Sequence, residues 1–232
     1  MSDIQIGGLV SFTTIDYPGN LAAVLFLVGC PLRCAYCSNP HLLSFRSGDY
    51  DPIKVFEWIR SRVGKLEAIV FSGGEALMQS DALIQYMQQV RQLGFKIGLH
   101  TNGFYPENLT RAAPFVDWIG LDYKATREKY PDLTGQNIAY NRMIDSLNIW
   151  QSTGKDYEIR VTCDPRFISP NDLLTIANDC ATRGVKNFAI QKYIPHFETD
   201  TDNTTSAARE QFFIPDIKNT INTMFENVIW RE

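Results

Sequence analysis

The chain has 232 residues, enough for one large domain or two small ones. Apolar residues make up 44% and charged residues 21%, so an ordinary hydrophobic core can form. The formal net charge is −4 and no Lys/Arg-rich run occurs, so there is no electrostatic footprint for binding nucleic acid.

Taken in chain order, the sequence reads as a short N-terminal β segment followed by alternating strands and helices. Leu21–Val28 is a continuous apolar run, as expected of a strand buried on both faces. A cysteine-rich loop follows. Pro52–Arg62 reads as a helix, with Asp51 as N-cap and Pro52 in the first turn. Ala68–Phe71 is a second apolar strand, and Ser80–Leu93 a helix stopped by Gly94. Lys96–His100 is a strand, Glu107–Ala113 a short helix, Trp118–Leu121 a strand and Tyr140–Ser152 a helix. Tyr157–Thr162 is a fifth strand, Ser169–Arg183 a helix ended at Gly184, and Asn187–Gln191 a sixth strand. His196–Ala208 is polar and reads as a surface loop, and the tail is helical around Ile217–Met224. Six β–α units predict an α/β fold with a parallel sheet, as an incomplete barrel or a strongly curved open sheet.

Cys30, Cys34 and Cys37 stand in GCPLRCAYC with the spacing Cys-x3-Cys-x2-Cys. Three thiolates can hold three irons of a [4Fe–4S] cluster and leave the fourth open for another ligand. Two other readings of the spacing stay open. His41 would complete a Cys3His zinc site, and free cysteines are often simply buried in cores. Cys163 and Cys180 show no ligand spacing and read as structural. Five cysteines, three of them clustered, argue against a disulfide framework and for a reducing cytoplasm. The N-terminus MSDIQIGG has neither the basic nor the apolar stretch of a signal peptide. The longest apolar run is too short to span a bilayer, so no membrane partner is expected.

Every unusual polar cluster follows a predicted strand. The cysteine loop follows the first, Ser72-Gly73-Gly74-Glu75 the second, and His100-Thr101-Asn102-Gly103 ends the third. Asp122-Tyr123-Lys124 ends the fourth, Arg160 and Thr162 share one face of the fifth, and Gln191 ends the sixth. Parallel α/β folds build their sites at the carboxyl ends of strands, so these clusters predict one site. Glycines allow close backbone approach to a ligand, and the Glu75 carboxylate can accept from an ammonium. Arg160 is a charge in an apolar strand and needs a partner, which a carboxylate ligand would supply, with Glu158 the competing local candidate.

The motifs IDYPGNLAAVLFLVGCPLRCAYCSNPHL, FSGGEALMQ, HTNGF, GLDYKA, REKYPDLTG and EIRVT, in this order, resemble those of the radical S-adenosylmethionine (SAM) enzymes. Within these the chain is similar to the pyruvate formate-lyase-activating group, and to the activating proteins of anaerobic ribonucleoside-triphosphate reductase in particular. The resemblance covers most of residues 6–195. It implies a single domain over residues 1–232, a partial (β/α)6 TIM-like barrel with its core at about 20–195 and a C-terminal extension over 196–232. It implies Cys30, Cys34 and Cys37 as ligands of one [4Fe–4S] cluster, with SAM on the open iron. It places Gly73, Gly74 and Glu75 at the SAM amino group, Asp122, Lys124 and Arg160 at its carboxylate and ribose, and Tyr36 near the adenine. Ser38, Thr162 and Gln191 join the SAM contacts, with His100 and Asn102 as further candidates. The chain departs from the pattern at Ser38, where the family commonly has His, and at His100, where many activating enzymes have Asp. A neutral imidazole is a poor ligand for a hard cation, which counts against a cation beside the SAM carboxylate here. Gln191-Lys192-Tyr193 stands where close relatives have Gln-Pro-Phe.

The activity implied is reductive cleavage of SAM to a 5′-deoxyadenosyl radical that takes an α-hydrogen from a glycine of a partner enzyme. The partner favoured is anaerobic ribonucleoside-triphosphate reductase, with flavodoxin or ferredoxin as electron donor. No side chain acts as general acid or base, because the cofactor carries the radical chemistry. Alternatives are another glycyl-radical enzyme of the formate-lyase type, a peptide or small-molecule substrate, or a zinc-binding interaction module without catalysis.

Overall fold

The computed structural model describes residues 4–195 and 205–232. They divide into two compact units. The first holds the chain up to Arg33, Asn39–Leu121 and Asn141–Tyr157; the second holds Cys34–Ser38, Asp122–Tyr140 and the chain from Glu158.

In the first unit β1 (Ile6–Thr13) runs antiparallel to β2 (Ala22–Leu27). Next come β3 (Ala68–Gly73), β4 (Lys96–Thr101) and β5 (Trp118–Asp122), each parallel to the strand before it. The strands alternate between two apolar faces, because successive side chains point to opposite sides. Ala22, Val24, Ala68, Val70 and Trp118 form one cluster with Tyr17, whose ring stacks on Trp118 at 5.1 Å. The intervening Leu25, Leu27, Ile69, Phe71, Ile97, Leu99, Ile119 and Leu121 are fully buried. Burial on both faces is why Leu21–Val28 reads as an unbroken apolar run. The first unit's helices include α1 (Pro52–Arg60), α2 (Ser80–Gln92) and α3 (Pro106–Ala112). Asp51 caps α1 by accepting from the Ile53 and Lys54 amides at 2.8 and 3.4 Å, as its position before Pro52 predicts.

The second unit contains α4 (Tyr130–Thr134); α5 (Ala139–Ser152) follows and lies mostly in the first unit. It continues through β6 (Asp156–Cys163), α6 (Pro170–Thr182), β7 (Asn187–Lys192), α7 (Ser206–Glu210), α8 (Pro215–Asn222) and β8 (Asn227–Arg231). β7 is parallel to both β6 and β8. Ser169 opens α6 with a reciprocal capping box: its hydroxyl accepts from the Asp172 amide and the Asp172 carboxylate accepts from the Ser169 amide.

All six expected strands and the expected helices exist, with ends shifted by one or two residues. Three elements go beyond the expectation. α4 has five residues, too few to show a helical period. β8 is a half-exposed strand whose ladder partner β7 lies far back in the chain. α7 corrects the end of the polar loop expected over His196–Ala208. Thr205 caps a short helix there by accepting from the Ala208 amide, and residues 196–204 lie outside the described residues. Among the described residues no helix is long and apolar enough to cross a membrane.

Candidate functional site

The first unit brings its candidate residues together at the carboxyl ends of β2, β3 and β4. Gly73 has φ of +127°, and a Cβ there would strike the Leu27 backbone well inside 3.0 Å. A Cβ on Gly74 would collide with the Gly29 carbonyl and stand 3.0 Å from Cys30 Cβ. Two glycines in a row therefore let the loop after β3 lie directly on the cysteine loop. Backbone hydrogen bonds seal the approach: the Gly74 amide donates to Leu27 O at 2.9 Å and the Glu75 amide to Gly29 O at 2.8 Å.

Glu75 is 1% exposed, and its carboxylate is held from within the chain. It accepts from the Thr101 hydroxyl at 2.8 Å, the Asn102 amide at 2.7 Å and the Leu77 amide at 3.1 Å. A buried carboxylate needs such donors to stay charged. The side chain of Asn102 reaches back to Cys30, where its Nδ2 donates to Sγ at 3.6 Å. His100 is directed elsewhere: its Nε2 donates to Asp16 O at 2.7 Å and its ring meets Trp118 edge-on at 5.8 Å. These contacts tie His100 to the Tyr17–Trp118 packing.

In the second unit Asp122 is a hub. Its Oδ1 accepts from Arg160 Nε at 2.9 Å, and its Oδ2 pairs with Lys124 Nζ at 3.3 Å. The Lys124 and Arg160 side chains are only 12% and 10% exposed, so this is not a surface pair. Burial works against the Lys124 charge, but the Asp122 carboxylate together with Cys34, Tyr36 and Tyr130 outweighs it and holds the ammonium well above the usual lysine range. Within the chain Arg160 has Asp122 as its partner, not the local candidate Glu158. Glu158 instead accepts from Arg231 of β8 at 2.9 and 3.0 Å, an interaction hidden from any local reading. Tyr36 is buried beneath Lys124, whose Nζ lies 6.0 Å from its ring, and it packs on Phe167. Thr162 and Gln191 are register partners on β6 and β7, and Thr162 shares the half-buried face of Arg160. Ser38 is exposed, as is His41, which sits in a short 3-10 turn over Pro40–Leu42.

Cys30 is buried, Cys34 and Cys37 are half-buried, and none of the three forms a disulfide. Burial pushes the Cys34 thiol up while the Lys124 ammonium pulls it down. Soft thiols outside any disulfide, in one short loop, fit an iron–sulfur cluster. The remaining two cysteines are fully buried, and burial alone drives the Cys163 thiol far above its ordinary range, as expected of packing residues. Asn102 as a donor to Cys30 and Asp122 as the partner of Arg160 are the contacts that spacing does not reveal.

The sequence profile of the radical SAM superfamily matches residues 24–167, more than half of the chain. A Methanocaldococcus jannaschii protein designated a glycyl-radical enzyme activating enzyme is 28% identical over 82% of this chain and 80% of its own length. The pyruvate formate-lyase-activating enzyme of Streptococcus mutans is 29% identical over 82% of this chain and 78% of its own. Matches also include a 7-carboxy-7-deazaguanine synthase of Methanocaldococcus jannaschii, 24% identical over 78% of each chain. Among solved structures, anSMEcpe with bound AdoMet superposes with a TM-score of 0.69 at 11% identity, over 86% of this chain and 60% of that one. This likeness shows the fold class, the α/β partial barrel of the radical SAM type. The profile match removes the support for a zinc-binding module. The chain belongs to the radical SAM superfamily, whose cofactors are a [4Fe–4S] cluster and S-adenosylmethionine.

Proposed function

We propose that this protein activates a glycyl-radical enzyme. The observation that carries the reading is similarity to activating enzymes along 82% of the chain, with the superfamily profile spanning all three cysteines and the Gly-Gly-Glu loop. Cys30, Cys34 and Cys37 would hold three irons, leaving one for SAM. Bound and reduced, the cluster would supply the electron that turns SAM into a radical able to take an α-hydrogen from a glycine of the partner.

The chain's own residues bind, orient and shield. The half-buried Gly73–Gly74 backbone, with Glu75, would receive the SAM amino group. Lys124 and Arg160 are paired with Asp122, and these three charged groups would meet the SAM carboxylate and ribose region. Tyr36 offers a buried ring toward the adenine, and Ser38, Thr162 and Gln191 add polar contacts. No side chain is required as general acid or base. The hydrogen bonds of His100 to Asp16 and of Asn102 to Cys30 favour supporting roles for both residues over contact with SAM.

Resemblance in sequence motifs favours anaerobic ribonucleoside-triphosphate reductase as the protein substrate, with flavodoxin or ferredoxin as the reductant. A second reading, a small-molecule substrate, is favoured by the 7-carboxy-7-deazaguanine synthase match. The deciding experiment is anaerobic reconstitution, dithionite reduction and addition of SAM with a purified anaerobic reductase or a formate-lyase. Iron near four per chain, 5′-deoxyadenosine and a glycyl-radical EPR doublet on the reductase support the reading. A doublet only on the formate-lyase changes the partner. SAM cleavage with no doublet on either moves the protein to the small-molecule reading.

A further inference from the structure

We propose that Asn102 tunes the cluster. Its side-chain amide donates a hydrogen bond to the Cys30 sulfur and thereby raises the reduction potential of the iron–sulfur couple. The inference rests on Cys30 being a cluster ligand.

The geometry leaves little freedom in how the amide is turned. Asn102 Oδ1 accepts from the Phe104 amide at 3.0 Å, and only the oxygen end of an amide side chain can do so. The NH2 end is therefore the one that faces Cys30 Sγ, at 3.6 Å. Both residues are buried, Asn102 at 6% and Cys30 at 8% exposure, so water competes poorly for the bond.

One residue secures both ends of this contact. The Glu75 amide donates to Gly29 O, next to Cys30, at 2.8 Å. The Glu75 carboxylate accepts the Asn102 amide at 2.7 Å and the Thr101 hydroxyl at 2.8 Å. The Thr101 oxygen in turn accepts from the Gly103 amide at 3.0 Å. Donor and sulfur are thus bracketed from the same buried side chain, and Asn102 is a positioning residue built into the first unit.

The consequence is electrostatic. Reducing the cluster adds one negative charge, shared with the cysteine sulfurs. An N–H dipole with its positive end on a sulfur stabilises that charge, and hydrogen bonds to sulfur are a known determinant of cluster potential. The bond also makes Cys30 chemically distinct from Cys34 and Cys37.

The test is an EPR-monitored redox titration of the reconstituted full chain without SAM, comparing wild type with Asn102→Leu and Asn102→Asp. Asn102→Leu removes the donor and is expected to shift the midpoint to more negative potential. Asn102→Asp substitutes a carboxylate and is expected to shift it further the same way. Unchanged midpoints at full iron content overturn the proposal. A wild-type measurement guards against variants that fail to load. With asparagine side chains labelled by 15N, pulsed EPR of the reduced cluster is expected to show a coupled 15N, and its absence also overturns the proposal. These results are separable from the ligand reading itself: a wild-type chain that binds no [4Fe–4S] cluster defeats that reading, whereas a normal cluster indifferent to Asn102 defeats only this inference.

Discussion

Glu75 in the first unit and Asp122 in the second are both carboxylates at strand ends, yet they are held by opposite means. Glu75 is 1% exposed and accepts from neutral donors of its own loops. Asp122 has a side chain 31% open to solvent and sits between two cations, Lys124 and Arg160. Hydrogen bonds from backbone and hydroxyl donors have strict geometry, so they fix position. Ion pairs tolerate changes of distance and are weakened by water and salt, so they keep charge available while permitting adjustment. The first unit holds its carboxylate with neutral donors, and the second pairs its carboxylate with two nearly buried cations.

The harshest way to break the comparison is to remove a cysteine. Cys34→Ala in the second unit and Cys30→Ala in the first are each expected to abolish SAM cleavage and cluster content. Iron analysis and a 5′-deoxyadenosine assay measure both, and full cluster with activity in Cys34→Ala would defeat the ligand assignment.

Gly74→Ala attacks the rigid side. The new methyl must displace the Gly29 carbonyl, an overpacking cost of about 1–3 kcal/mol. Because the displaced backbone adjoins Cys30, reduced cluster occupancy and weaker SAM binding by calorimetry are expected. Normal occupancy and binding would show that the close approach is dispensable.

Asp122→Asn attacks the charged side. It leaves two nearly buried cations without their carboxylate, at a cost of about 1–3 kcal/mol, or a fall in Tm of roughly 2–10 °C. Cluster content is expected to stay near normal while SAM affinity drops. Thermal melts unchanged from wild type would mean that water already compensates the pair.

The mildest change sharpens the comparison. Cys163→Ala removes a fully buried thiol on the face of β6 opposite Arg160 and Thr162. Iron per chain and SAM cleavage are expected to remain at wild-type levels, with stability lowered by about 1 kcal/mol. Loss of the cluster in this variant would show that the ligand set had been misassigned.

Much of this arrangement is legible in the chain itself. Leu21–Val28 and Ala68–Phe71 announce buried parallel strands because both faces are covered and no polar alternation interrupts them. Asp51-Pro52 and Ser169-Pro170 mark helix starts because capping is a contact between neighbours in sequence. The site clusters are legible for the same reason: each follows a strand, and parallel strands in register bring their ends together. α4 and β8 were hidden for lack of local signal. Five residues cannot display a helical period, and β8 is defined by its ladder with β7.

By itself the sequence determined the order of elements, the cysteine spacing and the Gly-Gly-Glu loop, because these depend on short-range rules of burial, capping and metal-ligand spacing. Only the tertiary structure decided who partners whom. It gave Arg160 to Asp122 and Glu158 to Arg231, turned His100 toward Asp16, and aimed Asn102 at Cys30. The physical reason is that a buried polar group must find a partner wherever the fold brings one within reach, and that reach is set by distances in space between residues far apart in the chain.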